Sequence, residues 1–168
     1  MTKLSLIIAG FIFMPLVSTA DVACPLGAKE DHLTINRVMR NFGRFIMYAD
    51  GVCVKAQNPW EKDHITDQEI TEAIGKMDLV VACAEAVLKD PTGDVLPGKL
   101  LLMKDEKEKA ELVDDYVYFM TDFKDAVIEY RELFKKLLTQ KAADRNYDEV
   151  NTKRQEVDAL VERAHKKL

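Results

Sequence analysis

From Leu112 to Leu137 the residues Leu112, Tyr116, Phe119, Phe123, Ala126, Tyr130, Leu133 and Leu137 follow one another at alternating steps of four and three. That rhythm puts all eight on one seam of an α-helix and does not fit the period-two alternation of a half-buried strand. A seam of four heptads needs neighbours along its whole run, so this helix must pack lengthwise against others. Composition points the same way: 7 Gly and 5 Pro in 168 residues are too few for the turns of an all-β sandwich or barrel. With 48% hydrophobic and 32% charged residues, the chain suits one ordinary globular domain rather than a disordered polymer.

Three further helices are legible around the seam. Residues 32–54 carry Ile35, Val38, Met39, Phe42, Phe45, Ile46, Ala49 and Val52 at spacings of three and four, and Asn58-Pro59 ends the pattern. Thr66 with Glu69 forms a capping box that starts a second helix through Ile70, Ala73, Met77, Val80, Ala84 and Val87. Asp90-Pro91-Thr92-Gly93 stops it, and a looser stretch to about residue 104 crosses to the seam helix. Asn146 with Glu149 offers a second capping-box-like start, for a helix with Val150, Val157, Val161, Ala164 and Leu168 inward. Four helices joined by mostly short connections predict an all-α fold, an antiparallel up-down-up-down four-helix bundle. In that topology the start of the first helix, the end of the second, the start of the third and the end of the fourth share one end, the upper end.

The first twenty residues read as an export leader. Lys3 supplies the positive start, residues 4–17 are almost wholly apolar, and Ser18-Thr19-Ala20 puts small residues where a signal peptidase cuts. Cleavage after Ala20 leaves one domain at 21–168, with 23 basic and 29 acidic side chains. No second long apolar run follows, so the mature protein is expected in the periplasm without a transmembrane anchor, and as a monomer. Its net charge, −6 against −5 for the whole chain, repels polyphosphate, and nucleic acid is not an expected partner.

The residues that could carry chemistry are few. Ser occurs only at positions 5 and 18, which excludes a serine hydrolase of the mature chain, and no Gly-rich phosphate loop is present. A carboxylate-bridged di-iron centre, which needs Glu-x-x-His pairs on two inward faces, is not expected, and neither is enzymatic activity. Of the three His, His64 reads as a solvated loop residue, His32 lies near the start of the first helix, and His165 sits four residues after Val161 beside the inward stripe. An inward His or Met is ordinarily core filling. The pairing changes that reading, because the topology brings Met39 and His165 to the upper end on adjacent helices. A haem between them would have imidazole on one face and thioether on the other, a ligand set suited to electron transfer. Covalent c-type attachment is excluded, since no Cys precedes His165 closely. Cys24 and Cys83 both fall toward the upper end and Cys53 toward the lower, so a Cys24–Cys83 bridge is expected, with three reduced thiols as the alternative.

The stretches VMRNFGR at 38–44, EAIGKM at 72–77, FKDAV at 123–127 and RAHKK at 163–167 resemble, in the same order, stretches of the cytochrome b562 family. The resemblance runs over essentially the whole mature chain. It implies an exported carrier of one non-covalent haem b, with Met39 and His165 as the iron ligands and an unknown redox partner protein. It also implies that Tyr116 packs on the haem and that Leu112, one turn earlier, occupies a position where an aromatic residue is usual. Arg163, with Lys166 and Lys167, stands in for a terminal basic residue that balances a haem propionate. The competing reading is a haem-free exported helical bundle that acts as a stress-responsive or metal-responsive chaperone or interaction module.

Overall fold

A computed structural model describes residues 24–25 and 34–167. The leader at 1–20, His32 and Leu168 lie outside the described residues. The chain forms α1 (Ile35–Gln57), α2 (Asp67–Lys89), α3 (Gly98–Leu101), α4 (Glu106–Leu138) and α5 (Asp148–Lys167), with 3-10 turns at Lys62–His64, Gly93–Val95 and Ala142–Asp144. Among the described residues there is no strand, and no helix is long and apolar enough to cross a membrane.

Local signals set most of the boundaries. Thr66 Oγ1 accepts the Glu69 backbone N–H at 3.2 Å while the Glu69 carboxylate accepts the Thr66 N–H at 2.9 Å, so the expected capping box starts α2. Asp105 caps α4 by accepting from the backbone N–H groups of Lys107 and Glu108. The second expected box does not form. Asn146 accepts from the N–H of Asp148, whereas Glu149 reaches across to Lys136 at 2.7 Å. The connection after α2 is also more ordered than its composition suggests, because Val95, Leu96 and Leu100 are buried in the core. Gly93, at φ 54°, makes the left-handed turn that admits them, and α3 is the fifth helix that results.

α2 packs against both α1 and α4, α4 packs against α5, and α1 meets α5 only sparsely. The deepest row of α4 is Tyr116, Met120, Phe123, Val127, Tyr130, Phe134 and Leu137. It shares Tyr116, Phe123, Tyr130 and Leu137 with the expected seam but takes Met120, Val127 and Phe134 in place of Phe119, Ala126 and Leu133. The latter three are half-buried, and two of them, Phe119 and Leu133, line spaces shared with α5. The seam is therefore two adjacent rows, the deeper one turned from α5 toward the rest of the core.

Cys24 and Cys83 form a disulfide, as expected, and Cys53 is a buried free thiol that shares a 3.1 Å hydrogen bond with the Tyr130 hydroxyl. At the α4–α5 connection the buried Arg145 donates to the Leu137 carbonyl at 3.1 Å and pairs with Asp67, joining the end of α4 to the start of α2.

Candidate functional site

Where α1 and α5 stand apart, a cleft of about 760 Å³ opens between them. This volume falls within the range of about 300 to 1,000 Å³ usual for small-molecule and cofactor sites. One wall is α1, through Ile35, Met39, Gly43, Ile46, Met47 and Asp50, a row at helical spacing. The opposite wall is α5, through Val157, Asp158, Val161, Ala164 and His165. Its floor is α4, with Tyr116, Phe119, Met120 and Phe123, and Pro97 and Gly98 close the head.

The floor is held in place from below. The Phe42 and Phe123 rings stack with centroids 5.1 Å apart, so α1 and α4 share an aromatic contact under the cleft. Tyr116, whose ring is buried, donates its hydroxyl to the Val95 carbonyl at 2.8 Å, which ties the α2–α4 connection to the floor. Burial pushes that hydroxyl well above the usual tyrosine range, so it stays a donor at any physiological pH. At the rim, the Lys167 ammonium lies 5.9 Å from the Phe119 ring centroid and bonds to Asp115 at 2.9 Å.

The far end of the cleft is polar. Arg154 occupies a position on the inward rhythm of α5, four residues after Val150 and three before Val157, and donates to Asp50 of α1 at 3.1 Å. Burial raises the Asp50 carboxyl and the nearby Arg154 charge opposes the rise. This pair bridges the two walls just where their apolar lining ends. Sequence reading missed it; the available signal was an acid and a base, each interrupting one of two apolar stripes.

Three of the five residues singled out from the sequence, Met39, Tyr116 and His165, line this one cleft, while Leu112 and Arg163 lie off its lining. Leu112 is half-buried against the core, and Arg163 is exposed on α5. Met39 is 40% exposed, because the neighbouring Val38 is the residue that points into the core. His165 is exposed as well, at the lip of the cleft. Phe42, Phe119 and Phe123 belong to the site but had been legible only as stripe residues. His64 is exposed in its 3-10 turn, as expected.

Met39 and His165 offer this cleft a soft thioether and an imidazole nitrogen, donors suited to iron within an apolar macrocycle. The aromatic floor and apolar walls fit the flat body of such a group. Two Glu-x-x-His spacings do occur in the chain, Glu61 to His64 and Glu162 to His165. Glu61 and His64 are exposed, and Glu162 is exposed and bonded to Lys166, so these carboxylates do not converge on an inward face. Among the described residues no group of three or more His, Cys, Asp or Glu is placed to hold a bare metal ion. The chain matches no protein-family model, no curated protein and no solved structure.

Proposed function

We propose that this protein is a periplasmic electron carrier that holds one haem b, without covalent links, in the cleft between α1 and α5. Met39 and His165 are the residues that would hold its iron. The observation that carries this reading is that a thioether and an imidazole from distant parts of the chain line a single apolar cleft with an aromatic floor. The scaffold is an antiparallel four-helix bundle of α1, α2, α4 and α5. Cross-helix pairs support that arrangement: Gln57 with Asn151 and Asp50 with Arg154, Lys136 with Glu149 and Lys153 with Glu129. In each set, earlier residues on one helix meet later residues on the other.

Haem supplies a one-electron couple at its iron when bound. The residues of this chain would do the rest. The Met39 thioether and the His165 imidazole would hold the iron, a pair of donors that suits electron transfer. Phe42, Phe119 and Phe123 exclude water, and Tyr116 holds the floor through Val95. Arg163 lies off the lining, so the charge-balancing role its position suggested is not part of this reading. Export rests on the leader residues, and the Cys24–Cys83 disulfide suits an oxidising compartment.

The test is an absorption spectrum of the protein purified from the periplasm and, separately, reconstituted with haem. We expect the reduced bands of six-coordinate low-spin haem, and extraction of the haem by acidified acetone. Met39→Ala should keep haem but open one position and lower the potential, while deletion of residues 165–168 should abolish tight binding. A chain that takes up no haem after reconstitution overturns the reading in favour of a haem-free interaction module. If His32→Ala alters the spectrum and Met39→Ala does not, the ligand assignment to Met39 is wrong and a two-histidine site is right.

A further inference from the structure

We propose that the outer strip of α1 beside the cleft, centred on Arg40 and Arg44, is a docking surface for an acidic face of a partner protein. The inference deepens the electron-carrier reading and rests on it for the identity of the transferred electron, although the surface itself can be tested without haem.

Residues 34–49 contain Arg37, Arg40 and Arg44 and no Asp or Glu, in a chain whose net charge is −5. Arg40 follows the lining residue Met39, and Arg44 follows the lining residue Gly43. With 3.6 residues per turn, Arg40, Arg44 and Met47 therefore form a strip along the outer edge of the cleft wall. Arg40 and Arg44 are both exposed, and neither has an acidic partner among the described residues. Several basic groups elsewhere are engaged, Arg131 with Asp78, Arg154 with Asp50 and Lys153 with Glu129. Met47, at 67% exposure, adds apolar surface to the same strip. Arg40 and Arg44 beside the exposed Met47 have the composition of a protein interface, in which Arg and Met are enriched.

The local charge opposes the global one, and that gives the strip its directional value. At 0.1 M salt the Debye length is about 10 Å, so a partner at the cleft mouth senses these arginines more than the acidic remainder of the chain. An acidic face is drawn to this wall and repelled by the rest of the surface, which orients the encounter on the cleft. An anionic membrane surface is a poorer occupant. The opposite face of α1, with Val38, Phe42, Ala49 and Val52, is committed to the core, so the helix has no free apolar face to embed in lipid.

The haem-loaded full chain, reduced, is mixed with ferricyanide in a stopped-flow instrument: one electron leaves the ferrous haem iron and ferricyanide becomes ferrocyanide. The expected rate falls by about tenfold as salt rises, because the anion is attracted to the strip. A rate that rises with salt, as the net negative charge alone dictates, overturns the proposal. Arg40→Glu/Arg44→Glu should reverse the sign of the salt slope and Arg40→Gln/Arg44→Gln should flatten it. Lys62→Glu and Lys141→Glu, in exposed connections away from the cleft, should leave the sign unchanged. In parallel, the apo chain is passed over an immobilised polyglutamate peptide and over phosphatidylglycerol vesicles. Salt-sensitive binding to polyglutamate that the double Glu variant loses supports the docking surface, and binding to vesicles alone overturns it. If no haem is taken up, the spectrum reports failure of the electron-carrier reading, and the polyglutamate arm still decides the surface.

Discussion

Replacing both Cys24 and Cys83 with Ala removes a cross-link between positions 59 residues apart. In the chain-entropy account, a loop of this length restricts the unfolded chain by about 14 cal/mol/K, or about 4 kcal/mol at 25 °C. The folded state loses less, since Cys83 is a small buried side chain on α2 and Ala leaves only a minor void. The loss is large beside the 5 to 15 kcal/mol or so by which whole domains are stable. For a urea slope of about 2 kcal/mol per molar, it lowers the midpoint by about 2 M. Equilibrium urea unfolding of the oxidised protein and of the double variant, followed by circular dichroism at 222 nm, measures the shift directly. Thiol titration in urea without reductant should find one thiol, Cys53, in the parent chain. Three titratable thiols, or the same midpoint in both proteins, would refute the reasoning.

Three further outcomes follow from individual contacts. The Lys55 ammonium and the Thr66 backbone N–H hold the Glu69 carboxyl down at about 2 from the ordinary 4.5. Its folded value lies below its unfolded one, so the stability it supplies is present above pH 4.5 and fades as the pH falls toward 2. Glu69→Gln should flatten that part of the acid-unfolding curve and, through the damaged capping box, cost about 1 kcal/mol at neutral pH; an unchanged acid limb argues against it. Tyr116→Phe strands the Val95 carbonyl and should cost about 1 to 3 kcal/mol in urea unfolding with helicity retained, and a neutral result would mean that the hydroxyl bond is not made. Burial pushes the Cys53 thiol upward and keeps it out of contact with solvent. Iodoacetamide at pH 8 should therefore spare the native protein and modify the urea-unfolded one, whereas native labelling at the rate of a free thiol would contradict the burial.

The chain by itself determined its helices, their order and most of their ends, because helical rhythm, Thr66 with Glu69, Asn58-Pro59 and Asp90-Pro91 act within a few residues of one another. It also carried enough to bring Met39 and His165 to one place, since short connections leave few ways to arrange long amphipathic helices. Tertiary structure decided what depends on distant neighbours. Glu149 left its expected cap because Lys136 of α4 came within reach. The α4 core row moved onto Met120, Val127 and Phe134 because two flanks of one seam look alike until other helices cover them unequally. The connection before α4 gained a helix because Leu96 and Leu100 found a core to enter. The cleft itself and its closure by Asp50 and Arg154 depend on how α1 stands against α5, and Leu112 and Arg163 fall outside its lining. Periodicity states which face of a helix is apolar; how far that face stands from its neighbour is set by the volumes of side chains packed elsewhere in the core.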